Sequence, residues 1–187
     1  MTVTESIKKR RAIYPRQYKL GTVSEKDIKE ILENANLAPT HRLTQPWFFK
    51  VYQNKSKLEL ADSMVNHYKL SGNLKNVSIK EKKIIDKCIQ SSCIIVIFMK
   101  RDEAESIPEW EEVASTAMAV QNMWLTCVEK NIGCYWSTPS YIQNMGDYFK
   151  LKQNQKCLGF FYMGKFNHEE KMAPNRKNIF ASTEWFK

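Results

Sequence analysis

The segment from Ser92 to Lys100 constrains the fold most strongly, because its interior, Cys93 to Met99, is an unbroken apolar run. A strand with one face in water would alternate apolar and polar residues, and this segment does not alternate. We therefore predict a strand covered on both faces. A second apolar run, Cys157 to Lys165, includes small residues where another part of the chain must approach closely, and it also predicts a buried strand.

Helical periodicity dominates most of the remaining chain. Apolar residues recur at i, i+3, i+4 and i+7 from Glu25 to Leu37, and Ser24 with Asp27 resembles a capping box. The segment Val77 to Gln90 predicts an amphipathic helix whose lysines form a solvated basic face. The other predicted elements are helices over Val3–Arg11, Ser56–Leu70 (ended by Gly72 and Asn73) and Ser140–Lys150, strands over Trp47–Tyr52 and Cys134–Thr138, and loops over Gln17–Thr22 and from Asn167 onward.

One further predicted helix, Glu109 to Lys130, is apolar around nearly its whole circumference. Such a helix has to be buried on all sides, which in a chain of 187 residues indicates a subunit interface as well as a core. Gly133 is expected to end this helix. Since no repeat or low-complexity linker divides the chain, we predict one α+β domain over residues 1–187.

Composition limits the classes of partner and compartment. The formal net charge of +9 favours anionic partners such as phosphates, nucleic acid or an acidic membrane surface. The five cysteines are odd in number and show no C-x-x-C pairing, so they are expected to be reduced core residues. The N-terminus lacks the apolar run of a signal peptide and no apolar run could cross a bilayer, so we expect a cytoplasmic protein without a membrane partner.

Candidate binding residues lie in polar loops, since the chain has none of the familiar catalytic motifs. His41, His67 and His168 lack metal-ligand spacing, so no metal site is expected, and the last two are expected at the surface. Arg10 and Arg11 offer the planar forks that suit a phosphate. The other polar clusters are Thr40, His41, Arg42, Thr44 and Gln45 in the loop within Asn36–Tyr52, then Trp136, Ser137 and Thr138, then Arg176 and Lys177.

Several motifs occur together in a fixed order: Arg10-Arg11-Ala12-Ile13-Tyr14, Leu37-Ala38-Pro39-Thr40-His41, Gln45-Pro46-Trp47-x-Phe49, the long apolar helix, and Trp136-Ser137. In this combination the chain closely resembles the nitroreductase family of FMN-dependent oxidoreductases, especially its short branch. The resemblance implies a central, mostly antiparallel sheet flanked by helices, with the long buried helix at a dimer interface. It also implies a homodimer with FMN between the subunits.

The resemblance further implies which residues bind FMN. Arg10 and Arg11 would hold its phosphate or ribityl end, His41 would lie beside the flavin, and Arg176 would close on the phosphate. No side chain is assigned as catalytic, because the cofactor supplies the chemistry. The implied cofactor-binding residues are Arg10, Arg11, Ala12, Leu37, His41, Trp136, Ser137, Thr138 and Arg176.

Three residues depart from the family pattern. Ala12 stands where a serine is common, Tyr14 where some members have a lysine near the flavin, and Leu37 where some short members have arginine or tryptophan. Positive charge near the ring would then come from Arg16 or Arg42.

The function implied is transfer of electrons from NAD(P)H through FMN to a nitroaromatic, a quinone or a similar small acceptor. One alternative is a flavin dehydrogenase or reductase that is specialised for one metabolite. Another, from a different class, is a non-enzymatic basic module that binds nucleic acid. That reading predicts exposed aromatic residues among the basic ones, whereas most aromatic residues here fall in the predicted strands and the long helix.

Overall fold

A five-stranded sheet forms the centre of the fold, in a computed structural model that describes residues 1–72, 76–167 and 176–187. The strands are β1 (Tyr18–Lys19), β2 (Trp47–Gln53), β3 (Cys93–Lys100), β4 (Ile132–Ser137) and β5 (Gln155–Phe166). Their order is β1-β5-β3-β2, with β4 also paired to β5, and every pair in the described ranges is antiparallel. Asn73 and His168, predicted as a helix break and a surface residue, lie outside these ranges.

Helices cover both faces of the sheet. They are α1 (Val3–Lys9), α2 (Glu25–Asn36), α3 (Ser56–Leu70), α4 (Val77–Gln90), α5 (Glu109–Glu129) and α6 (Gly146–Phe149). Single 3₁₀ turns occupy Pro15–Gln17, His41–Leu43, Ser140–Asn144 and Ile179–Ser182. The predicted α+β architecture, an antiparallel sheet flanked by helices, is confirmed.

Strand β3 explains why two layers of helices are needed. All its residues except Lys100 are buried, as the unbroken apolar run predicts. Alternate side chains enter different cores, because successive residues of a strand point to opposite faces. Ile95 and Ile97 pack in the core built with α2 and α5, whereas Ile94 and Val96 pack in the core built with α3 and α4.

Gly133 does not end the long helix, contrary to the prediction. The helix ends at Glu129, and Asn131 takes the left-handed conformation (φ 52°) that turns the chain into β4. Gly133 instead lies in β4, where a Cβ atom would stand 2.9 Å from Cγ2 of Ile13. Its small size therefore lets the N-terminal segment pack against the sheet. The short strand β1, which lies within a segment predicted as a loop, also packs against the sheet at Gly133.

Helix α5 is buried on most sides but not all. Glu112, Thr116 and Met123 are among its buried residues. Within one chain, Trp110 remains 69% exposed, and Val113 and Met118 are also exposed. The expectation of burial all round is therefore not met by a single chain, since an apolar stripe of α5 stays open to solvent.

The five cysteines carry free thiols, as expected from their number and spacing. Four of them are buried and Cys157 is half-buried. Burial raises the pKa of Cys88, Cys93 and Cys157 to about 12, because a thiolate is poorly solvated in an apolar core.

Candidate active site

The structure brings the N-terminal arginine segment against the end of β4. The backbone N–H of Ile13 donates to the carbonyl of Cys134 at 3.0 Å, so Arg10, Arg11 and Ala12 run directly into the edge of the sheet. The indole Nε1 of Trp124, on α5, donates to the carbonyl of Arg11 at 3.0 Å. These contacts place three predicted phosphate-binding residues near the strand that carries Trp136 and Ser137.

Arg10 is held by an aromatic ring. Its guanidinium carbon lies 4.8 Å from the centroid of the Trp124 ring, a favourable cation–π distance. None of the ion pairs in the described ranges involves Arg10 or Arg11. Both positive charges are therefore positioned by neutral groups and remain available to an anion. Trp124 was not identified from the sequence, because in an apolar helix nothing distinguishes it from a core residue.

Arg11 has one hydrogen-bond donor in use and another unused. Its Nη1 donates to the carbonyls of Lys8 at 2.7 Å and Arg10 at 2.8 Å, which fixes the plane of the guanidinium. Its Nε is buried and has no partner among the described residues. A buried donor without an acceptor costs about 1–3 kcal/mol. An oxygen of a phosphate would satisfy this donor, so the arginine pair fits the phosphate end of FMN.

Trp136 is fixed by its contact with β5. Its Nε1 donates to the carbonyl of Leu158 at 3.0 Å. The next residue, Gly159, has φ 144°, and a Cβ atom there would stand 2.1 Å from that Nε1. The small residues in the β5 run therefore mark a close approach, as the sequence predicted. Ser137 and Thr138 follow at the open end of β4, half-buried and exposed respectively.

His41 lies at the other end of α5, whereas α2 brings Leu37 nearer the middle of that helix, since the carbonyl of Asn34 accepts both from Asn122 Nδ2 at 3.0 Å and from the backbone N–H of Leu37 at 3.2 Å. His41 Nδ1 is 2.6 Å from Oε2 of Glu111, in the first turn of α5, and its side chain is 57% exposed. Leu37, at the end of α2, is 77% exposed. Thirteen residues of helix separate Glu111 from Trp124, which corresponds to about 20 Å. One chain thus does not bring His41 to the arginine pair.

The loop around His41 has an unusual backbone. Arg42, Leu43 and Gln45 all have positive φ, between 43° and 54°, a conformation that is uncommon for residues other than glycine. The hydroxyl of Thr40 accepts from the backbone N–H of Gln45 at 3.2 Å and lies 3.2 Å from the hydroxyl of Thr44. The predicted polar side chains therefore include two that hold the loop itself in shape.

The two candidate sources of extra positive charge have different surroundings. Arg16 lines a cavity of about 370 Å³ together with Tyr14, Lys83 and Lys87. Arg42 lies in the loop of His41 and is exposed. Arg176 is exposed, and no hydrogen bond or ion pair joins it to the described residues. The structure therefore groups Arg16 with the N-terminal segment and leaves Arg176 apart from it.

The described residues contain no group of three or more His, Cys, Asp or Glu side chains that could hold a metal ion. Over the same ranges, no helix has the length and apolar character needed to span a membrane.

Comparison with known proteins identifies the family of the chain. The model of the "Nitroreductase family" matches residues 7–165. The "Putative NAD(P)H nitroreductase YfhC" of Bacillus subtilis (strain 168) is 27% identical over 164 residues, which cover 84% of this chain and 81% of YfhC. The crystal structure of a nitroreductase-like family protein from Bacillus cereus superposes with a TM-score of 0.86 at 23% identity, over 100% of this chain and 96% of the other.

A variant of NfnB from sphigopyxis sp. strain HMH, described as an FMN and NADPH-dependent nitroreductase, has a TM-score of 0.77 at 15% identity, with 99% of each chain covered. At such identities the two solved structures establish a shared fold. The family model covers most of the chain, including the arginine pair, the His41 loop, α5 and β4. The chain therefore belongs to the nitroreductase family.

Proposed function

We propose that this protein is an FMN-dependent oxidoreductase that passes electrons from NAD(P)H to a small acceptor such as a nitroaromatic or a quinone. The observation that carries the proposal is the buried Nε of Arg11, beside Arg10: in the described part of the chain, that Nε has no acceptor and neither arginine has an ion-pair partner. A dianionic phosphate is the ligand that such a pair suits best. Family membership and the FMN dependence stated for NfnB support FMN as the source of that phosphate.

The residues of this chain bind and orient the cofactor. Arg10 and Arg11 hold the phosphate, and the backbone of Ala12 runs beside it. Trp136, Ser137 and Thr138 present a fixed aromatic side chain and a free strand end for the ring. FMN, when bound, supplies the hydride chemistry. No side chain is required as a nucleophile, and the catalytic role of the protein is positioning.

We further propose a homodimer, because one chain leaves the site incomplete. His41, which contacts Glu111, lies about 20 Å along α5 from Trp124 and the arginine segment, by the rise of an α-helix. The exposed apolar stripe of Trp110, Val113 and Met118 lies on the same helix. Packing two copies through α5 would bury this stripe and bring the partner subunit's His41 to the arginine pair. Arg176 would reach the phosphate from the C-terminal tail, whose Phe180, Trp185 and Phe186 are also exposed.

The proposal also covers compartment and domain organisation. A cytoplasmic location is supported by the free thiols, since disulfides rather than thiols are typical of oxidising compartments. The two apolar cores share one sheet, which supports a single FMN-binding domain over residues 1–187.

The test is reconstitution with FMN followed by turnover. The purified chain is expected to take up one FMN per subunit, to elute at the mass of a dimer, and to oxidise NADH or NADPH when a quinone or nitroaromatic is supplied. Uptake is measured by the flavin absorbance retained after gel filtration, and mass by light scattering. A chain that retains no flavin after titration would exclude the proposed function, whereas flavin uptake by a monomer would exclude only the shared site.

A further inference from the structure

We infer that helix α4 carries an anion subsite next to the proposed flavin site, and that the acceptor is a planar molecule bearing a carboxylate. The feature that points to it is a cavity of about 450 Å³ between α4 and the end of β4, called here the lysine cavity. It is lined by Lys80, Lys83 and Lys87 and reaches Ser137. The inference rests on the proposed function, because Ser137 belongs to the proposed ring-binding strand end.

The three lysines form one charged wall. They are spaced at i, i+3 and i+7 on α4, which places them on one face of the helix. Neither Lys80 nor Lys83 takes part in an ion pair with the described residues, and no Asp or Glu of the described ranges lines the cavity. The lysine cavity therefore concentrates positive charge without a carboxylate of the protein to neutralise it, and a bound anion would gain from this field.

Lys87 is held in place at the inner end of this wall. Its Nζ is 2.9 Å from the hydroxyl of Tyr135 and 5.5 Å from the centroid of the Tyr135 ring. Tyr135 also packs against Tyr14, with ring centroids 4.9 Å apart. Lys87 lines both the lysine cavity and the smaller cavity that contains Tyr14 and Arg16. A positive charge thus lies between Ser137 on one side and the Tyr14 position on the other.

The remaining walls are apolar and aromatic. Met64, Ile84, Tyr141 and Tyr162 also line the cavity. Its volume is within the range of roughly 300–1,000 Å³ that is typical of small-molecule sites. A flat ring would pack on these side chains while its carboxylate met the ammonium groups. This combination favours an aromatic or other planar carboxylate over a neutral quinone or an unsubstituted nitroaromatic.

The test compares two nitroaromatic probes that differ in charge, 4-nitrobenzoate and neutral 4-nitrobenzyl alcohol, with the FMN-loaded protein. We expect the Kd and the KM of the anionic probe to be at least about tenfold lower at low salt, and this preference to shrink in 0.5 M salt because exposed charges are screened. In the double variant Lys80→Gln with Lys83→Gln, the preference is expected to fall below about threefold, with the values for the alcohol unchanged.

The control is Lys82→Gln, which removes one positive charge from the same helix. Lys82 pairs with Asp86 at 2.8 Å and does not line the lysine cavity, so the preference should be retained. Equal Kd values for the two probes, or an equal loss of preference in the control and the double variant, would overturn the inference. Failure of the proposed function would give a different result, because no FMN would be retained. Binding of 4-nitrobenzoate to the flavin-free chain would still test whether the lysines bind an anion.

Discussion

Two arginines lie against opposite ends of α5, and their surroundings differ in one respect. Arg101, near the N-terminal end, forms an ion pair with Glu112, a residue that is fully buried. The second carboxylate oxygen of Glu112 accepts from the backbone N–H of Asp102 at 2.7 Å. Arg11, near the C-terminal end, has no carboxylate partner among the residues that the structure describes, and within the same ranges its buried Nε has no acceptor.

The difference separates a structural charge from a functional one. A buried pair whose atoms are all satisfied fixes the chain but offers nothing to a ligand. A positioned arginine with an unused donor carries a cost in the ligand-free protein, and an anion recovers that cost on binding. The same helix therefore has one end that is complete within a single chain and another end that a ligand would complete.

The largest expected effect is on stability, at the N-terminal end of α5, where Arg101 pairs with Glu112. Arg101→Met should lower the free energy of unfolding by about 3–5 kcal/mol, because it leaves the carboxylate of Glu112 buried without its counter-charge. Urea denaturation of the flavin-free protein measures this loss. Adding Glu112→Gln to the same chain should recover part of the stability, since the buried charge is then removed as well. A loss below about 1 kcal/mol in the single variant would contradict the structural role assigned to the Arg101–Glu112 pair.

The next largest effect is on FMN binding, at the C-terminal end of α5, where Arg11 lies. Arg11→Met should raise the Kd for FMN about 10–100-fold, because a hydrogen bond to a charged group contributes about 1.5–3 kcal/mol. Stability without FMN should change by less than about 1 kcal/mol, since the lost bonds to two carbonyls are offset by removal of the unpartnered donor. Fluorescence titration of FMN and urea denaturation give the two numbers.

Lys9→Gln is the control for the change of charge, because Lys9 is exposed at the end of α1. Its Kd for FMN should stay within about twofold of the unmodified protein, as expected for an exposed charge that is screened by salt. If Arg11→Met instead destabilised the flavin-free chain as strongly as Arg101→Met, Arg11 would belong to the structure and not to the site.

The smallest effect concerns Glu111, the neighbour of Glu112 on α5. It contacts His41, but that histidine side chain is more than half exposed, so Glu111→Gln should cost at most about 1 kcal/mol. Thermal denaturation of this variant and of Arg101→Met compares the loss of two contacts made by adjacent residues of α5: the exposed contact of Glu111 with His41 and the buried ion pair of Glu112 with Arg101. A loss of several kcal/mol would mean that the His41 loop is coupled to the core.

Local patterns predicted most of the fold. The apolar run of β3 and the periodicity of α2 and α4 gave nearly correct boundaries, because burial on a sheet or one helix face leaves a regular signature. The role of Gly133 was predicted wrongly, because a glycine after a helix can also be a place of close packing, and Asn131 can make the left-handed turn.

The site was harder to predict than the fold. Motif order identified the arginine pair and the His41 loop but carried no information on the distance between them, which depends on where each contacts α5. The lysines of α4 were predicted only as a solvated face, since a periodic charge pattern is the same whether the face meets water or a cavity. Whether any of the nine predicted cofactor-binding residues meets FMN stays a prediction.

The buried thiols have a consequence for a protein that handles electrons. Only the thiolate form of cysteine is readily oxidised or alkylated. With the pKa of Cys88, Cys93 and Cys157 raised to about 12, hardly any thiolate is present at neutral pH. These three thiols are thus protected from oxidation by the electron-transfer reactions proposed for the flavin site.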